Sequence, residues 1–174
     1  MIEPSQTHSD LGKFFQSVQI KALRQAQFAT RSFEDAEDLV QEAMIRLGQS
    51  YGSRAEEWEP LFHRILQNLI RDYYRRAKIR QFVTFQIGDS ESNFEDSIPD
   101  IEGGPDRALE SQRLNSTVQK AITKLPLRQQ QCFLLRCWWE YDVKQTAEIM
   151  RCSEGSVKTH CHRAIQKLQS ELRE

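Results

Sequence analysis

Apolar residues recur at helical spacing along nearly the whole chain. Leu11, Phe14, Phe15, Val18 and Ala22 form one stripe. Ala36, Leu39, Val40, Ala43, Met44 and Leu47 form a second, and Leu61, Phe62, Ile65, Leu66, Leu69, Ile70 and Tyr73 a third. Each follows the i, i+3, i+4, i+7 pattern of a helix with one buried face. Only 7 Gly and 5 Pro interrupt 174 residues, too few for a turn-rich β fold. The one strand-like run is Phe82-Val83-Thr84-Phe85. The expected fold is all-α, with Ser32, three residues before Asp35, opening the second helix as a capping box.

The character changes between Gln86 and Asp106. This stretch holds seven acids, no basic residue, and the breakers Pro99, Gly103, Gly104 and Pro105. It has too little apolar surface to offset its ordering entropy, so it reads as an acidic flexible linker. Two small helical domains result, residues 1–85 and 107–174. In the second, Leu114, Val118, Ala121, Ile122 and Leu125 mark a helix closed by Pro126, and Gln129–Trp139 reads as another. Val143–Met150 and Gly155–Leu168 then flank Arg151-Cys152-Ser153-Glu154, a spacing that suits a helix-turn-helix. Val157, Cys161, Ala164, Ile165 and Leu168 fall on its buried side, leaving Lys158, Thr159, His162, Arg163 and Gln166 outward.

Mean hydropathy is −0.66 and no apolar run approaches a membrane span. No signal-like segment stands at the N-terminus, and four cysteines cluster in the last third without a CxxC pair. A cytoplasmic chain with free thiols and no membrane partner is expected. No phosphate-cradling glycine loop, HExxH or nucleophile signature points to an enzyme or a cofactor. Cys152, His160, Cys161 and His162 suggest zinc at first sight, but His160 and His162 diverge by about 200° on a helix. No metal site is expected.

Three charged faces remain. Opposite the third stripe stand Arg64, Asn68, Arg71 and Arg75, followed by Arg76, Lys78 and Arg80, with Tyr73, Tyr74, Phe82 and Phe85 interleaved. Cations for phosphates beside rings for unstacked bases suit single-strand capture. A solvated basic face with core tyrosines fits the same spacing. The second stripe carries Glu34, Asp35, Glu37, Asp38, Gln41 and Glu42, which complement a helix dipole or form a docking face. The outward side of the last helix suits DNA phosphates and base edges, or is simply solvated.

Asp35-Ala36-Glu37-Asp38-Leu39-Val40-Gln41-Glu42-Ala43 resembles the polymerase-binding helix in region two of bacterial RNA polymerase sigma factors. Arg64 to Arg76 resembles the −10 element helix that follows it. Leu125-Pro126-Leu127-Arg128-Gln129, Gln145 to Met150, and Gly155-Ser156-Val157-Lys158-Thr159 with His162-Arg163-Ala164 resemble region four. Two helical domains with no middle region resemble the extracytoplasmic-function group of the sigma-70 family.

That resemblance implies core RNA polymerase, through its β and β′ subunits, and promoter DNA as partners, with an anti-sigma factor as a family-level expectation. It implies polymerase contacts at Asp35, Asp38, Gln41 and Glu42. It implies −10 contacts at Arg64 and Asn68, with Arg71, Arg75 and Arg76 on the same segment. It implies −35 contacts at Arg136, Ser156, Lys158, Thr159, His160, His162 and Arg163. The loop from Gly48 to Trp58 is where −10 base selection is expected. Arg151 stands where a helix-turn-helix often has Gly, so a positive φ is expected there. A stand-alone helix-turn-helix regulator is the rival reading, and dependence on polymerase separates the two. The net charge of −1 conceals segments of −4, +5, −7 and +5 for residues 1–59, 60–85, 86–106 and 107–174.

Overall fold

The structure, a computed structural model, describes the backbone of residues 4–87 and 108–173 and the side chains of residues 9–77, 79 and 116–173. Nearly all of the acidic linker thus lies outside the described residues, as do the side chains of Lys78, Arg80, Phe82, Phe85 and Leu114. The chain divides into two compact units, Met1–Asp96 and Ser97–Glu174. The described residues hold helices and no strand, as the apolar period requires.

Unit 1 contains α1 (Pro4–Thr30), α2 (Phe33–Tyr51), a 3₁₀ turn (Ala55–Glu57) and α3 (Trp58–Ile87). Each helix packs on the other two. The three stripes supply the core: Leu11, Val18 and Ala22 meet Ala36, Val40, Ala43 and Leu47, and both meet Leu61, Phe62, Leu66, Leu69 and Ile70, all buried. A fully buried Leu or Phe contributes roughly 1.5–3 kcal/mol relative to exposure, so the interlocking stripes are sufficient to order the bundle. Ser32 caps α2, its Oγ accepting from the Asp35 N–H at 3.2 Å.

Two expectations change in this unit. The Phe82–Phe85 run is helical, because α3 continues to Ile87. The loop expected from Gly48 is much shorter, because α2 continues through Gly48 to Tyr51. Glycine's cost inside a helix, roughly 0.5–1 kcal/mol, is outweighed where the helix packs; a Cβ at Gly48 would lie 3.6 Å from Leu11 Cδ2. The short connection is then fastened. Trp58 is buried, its indole N–H donating to the Tyr51 carbonyl at 3.0 Å. Phe14 lies 5.9 Å from the Trp58 ring and 6.0 Å, edge-on, from Phe62.

Unit 2 contains α4 (Ala108–Thr123), α5 (Leu127–Phe133), a π turn (Leu134–Trp138), α6 (Val143–Met150) and α7 (Glu154–Glu171). α7 is the hub, with α4, α5 and α6 all packed on it. Pro126 does not close α4, which ends at Thr123. It stands instead at the N-cap of α5, where its missing N–H costs nothing. The helix expected over Gln129–Trp139 begins two residues earlier and widens into the π turn. Ile165 departs from the expected buried face and is 42% exposed.

His63 was not foreseen as a core residue. It is fully buried on α3 beside the Phe62 ring, edge-on at 5.3 Å. Burial first, and then the Lys21 charge, lowers its pKa to about 3. The folded state therefore holds His63 neutral, while the unfolded chain takes up a proton below about 6.5. This contribution to stability is complete above the unfolded pKa and is lost as pH falls from about 6.5 towards 3, by about 2 kcal/mol at pH 5. Thermal unfolding of unit 1 followed from pH 7 to 5 should show that loss. His63→Gln should flatten the slope; an unchanged slope would assign it to other groups.

Candidate nucleic-acid interface

The register of α3 sets the first charged surface. Because Leu61, Phe62, Leu66, Leu69 and Ile70 face inward, Arg64, Asn68, Arg71 and Arg75 fall within about 60° of one another at 100° per residue. Arg64, Asn68 and Arg71 are half-buried and Arg75 is exposed. Arg71 donates from Nη2 to Asn68 Oδ1 at 2.6 Å, fixing the amide's orientation. Arg75 lies 3.5 Å from Asp72, a long exposed pair worth little in water.

Arg76 leaves this row. With Tyr73 and Ile79 it lines a cleft of about 460 Å³ whose other wall is Asp35, Asp38 and Leu39 of α2. Tyr73 crosses the cleft floor, its hydroxyl donating to Asp35 Oδ2 at 2.8 Å. Asp35 is thus half-buried and engaged. Asp38 and Gln41 are exposed, and Glu42 accepts from Arg46 Nε at 2.6 Å within α2. Tyr74, next to Tyr73, has its phenol pKa raised by burial, with the Arg31 charge opposing.

The second surface is the α6–turn–α7 unit. Asp142 caps α6 with a full capping box: Asp142 Oδ1 accepts from the Gln145 N–H at 2.7 Å, and Gln145 Oε1 accepts from the Asp142 N–H at 2.9 Å. The turn reverses at Arg151, whose φ of 51° and ψ of 56° are left-handed. Ser153 then caps α7, its Oγ accepting from the Ser156 N–H at 3.1 Å. On α7, Val157, Ala164 and Leu168 are buried, while Lys158, Thr159, His162 and Arg163 are exposed. Thr159 is aimed by its own helix, its Oγ donating to the Gly155 carbonyl at 3.0 Å.

These two surfaces coincide with two known sequence regions. Residues 14–79 match the family Sigma-70 region 2, and residues 116–168 match Sigma-70, region 4. The chain is 31% identical over 148 residues to the ECF RNA polymerase sigma factor SigF of Caulobacter vibrioides, covering 80% of this chain and 72% of that protein. It belongs to the extracytoplasmic-function sigma factors of the sigma-70 family. It is also 28% identical over 150 residues to the ECF RNA polymerase sigma factor SigM of Mycobacterium tuberculosis, covering 83% of this chain and 68% of that protein. Among solved structures it resembles the sigma factor RpoE of Bartonella quintana, crystallised in complex with the anti-sigma factor NepR. That likeness has a TM-score of 0.60 at 27% identity and covers 92% of this chain and 97% of that one.

Unit 1 of this sigma factor therefore carries region 2 and unit 2 carries region 4. The α3 row and the exposed side of α7 each bring together most of their expected residues. Three stand apart. Arg76 sits across the cleft from Asp38, away from the α3 row. Ser156 faces back, its Oγ 2.9 Å from Ser153 Oγ. Arg136 lies on the π turn rather than on α7, and its guanidinium donates to the Tyr141 carbonyl. His160 is half-buried; burial, then the Arg128 and Arg163 charges, lower its pKa. Arg128 belongs to the Leu125–Gln129 run that resembles region four but was assigned no role from the sequence; its Nη1 donates to the Met150 carbonyl at 3.2 Å and so holds the end of α6. Its place directly after Leu125-Pro126-Leu127 was the available signal.

Left-handed backbone at a non-glycine residue costs roughly 1–2 kcal/mol, part of which glycine returns through its freer unfolded chain. Arg151→Gly should therefore stabilise region 4 by about 0.5–1 kcal/mol, raising its Tm by roughly 2–8 °C. Differential scanning calorimetry checks this; an unchanged or lower Tm would mean the Arg151 side chain offsets the strain.

Proposed function

We infer that this sigma factor is a transcription initiation factor that binds core RNA polymerase, directs it to promoters carrying −35 and −10 elements, and assists their melting. The observation that carries this is the pairing, in one chain and in order, of region 2 with its charged α2 and α3 faces and region 4 with its helix-turn-helix. We propose the division of labour as follows. The outward face of α2, with Asp38, Gln41 and Glu42, docks on polymerase, and Asp35 acts chiefly by holding Tyr73. Arg64, Asn68, Arg71 and Arg75 take −10 bases and phosphates as the strands part, while Arg76 belongs to the polymerase side of the cleft. Lys158, Thr159, His162 and Arg163 take the −35 duplex, and Arg136, Ser156 and His160 position that helix.

The protein acts by binding, and its place of action is the cytoplasm. No helix among the described residues is long and apolar enough to cross a membrane. Extruding a base costs a few kcal/mol, offset by contacts to the freed base and by phosphate neutralisation. The exposed cations of α7 each contribute modestly, so duplex binding without polymerase is weak and strongly salt-dependent. The stand-alone regulator is not favoured, because the segment that would have to be its sensor domain matches region 2. An anti-sigma factor as partner rests on the complex formed by the related RpoE.

Run-off transcription on genomic fragments should give discrete promoter-specific products only when core polymerase is supplied. Asp38→Ala and Gln41→Ala should weaken core binding by about tenfold, or about 1.4 kcal/mol. Asn68→Ala should leave core affinity unchanged and impair opening, scored by permanganate footprinting. Equal core affinity in all three variants would sink this division, and tight operator binding by the protein alone would restore the regulator.

A further inference from the structure

Region 4 holds all four cysteines of the chain, and three of them share its core. Cys132 on α5 is fully buried in the cluster of Leu135, Tyr141, Ala147, Ile149, Met150 and Val157, and Cys152 and Cys161 pack half-buried against it. Cys137 is exposed. Cys132 and Cys161 stand 29 residues apart in sequence, but their sulfurs are 2.7 Å apart. Cys132 Sγ also lies 3.2 Å from the Val157 carbonyl, one turn earlier on α7. A covalent S–S bond is about 2.05 Å long, so bonding needs an approach of only roughly 0.65 Å.

The geometry points to Cys132 and Cys161 as an oxidisable dithiol that, once bonded, staples α5 to the DNA-facing helix of region 4. The oxidant is a hydroperoxide. Cys161 reacts first because it is only half-buried, whereas Cys132 is closed off and burial pushes its thiol up. The Cys161 thiolate attacks the peroxide O–O bond, giving a sulfenic acid and releasing hydroxide, which takes up a proton to become water. The Cys132 sulfur then attacks the Cys161 sulfur, expelling the oxygen as a second water. Two thiols lose two electrons to one peroxide, and a dithiol reductant reverses the change.

The staple forms away from the DNA-facing side. At 100° per residue, Lys158, Thr159, His162 and Arg163 are turned about 60–160° from Cys161, so oxidation leaves them uncovered. What changes is the freedom of α7 to separate from α5. Closing this loop removes unfolded conformations, so the oxidised domain resists unfolding more than the reduced one.

The full-length protein, reduced and then exposed to hydrogen peroxide at low micromolar concentration, should lose two of its four titratable thiols and about 2 Da of mass. Non-reducing peptide mapping after alkylation should recover a Cys132–Cys161 linked pair that dithiothreitol dissolves. The region 4 unfolding transition should rise by at least about 4 °C. Cys137→Ser should leave all of this intact, and Cys161→Ser should abolish the link. A link from Cys161 to Cys137 or Cys152, a sulfinic acid at Cys161 with Cys132 free, or retention of all four thiols would overturn the assignment. The wild-type peptide map decides between these outcomes even if a serine variant folds poorly.

Discussion

Everything region 2 presents to a partner depends on which face α3 buries. Phe62, Leu66 and Ile70 are almost completely enclosed by α1 and α2, so rotating α3 about its axis would expose several large side chains at once. At roughly 1.5–3 kcal/mol each, that penalty exceeds anything the surface cations contribute. The apolar stripe therefore chooses the register, and the positions of Arg64, Asn68, Arg71 and Arg75 follow from it. A charged row built in this way is rigid before any ligand arrives. Little ordering entropy remains to be lost on binding, which matters when extruding a base is itself costly.

Region 4 solves the same problem with a turn. The second helix of its helix-turn-helix, α7, is only as well placed as the chain reversal before it, and three independent features fix that reversal. Arg151 takes the left-handed conformation, Ser153 caps α7, and Arg128 reaches from α5 to the Met150 carbonyl. Strain at Arg151 is accepted because the surrounding packing over-determines the turn: Ile149, Met150 and Val157 are all buried around it. Arg136 and the π turn belong to the same scaffold. The Arg136 guanidinium is engaged by the Tyr141 carbonyl, so within the described structure it ties the π turn to the loop before α6.

The fold was legible in the sequence because helical periodicity is a local property that tertiary structure had no reason to override. The three stripes, the Ser32 and Ser153 caps and the positive φ at Arg151 all follow from residues within a few positions of one another. What the sequence concealed is non-local or is decided by small energies. His63 stands at i−3 from Leu66 and i−7 from Ile70, on the buried face of α3, but an ionisable side chain does not declare from residue type alone that it will be enclosed there as the neutral form. The π turn at Leu134–Trp138 has no signature beyond an otherwise ordinary helical run. Gly48 reads as a terminus, but its helical cost is smaller than the gain from continuing α2 against Leu11. Most of the charged faces were visible as periodic rows; the side to which Arg76 belongs was not, because it depends on how α2 and α3 cross.

That crossing makes one cleft carry charges of both signs. Asp35 and Asp38 on α2 face Arg76 on α3, with the Tyr73–Asp35 hydrogen bond as the floor and Ile79, 58% exposed, at the rim. A basic partner helix approaching Asp38 gains from the acids and meets repulsion from Arg76, so the cleft selects against a uniformly basic ligand such as a polyamine or a cationic peptide. A partner that sets an acidic group opposite Arg76, a basic one opposite Asp38 and an apolar side chain over Ile79 satisfies all three at once. Discrimination of this kind rests on placing a penalty as well as an attraction. A cation outside the α3 row, Arg76 is the one that supplies the penalty in this arrangement, because it faces the acids of α2 across the cleft.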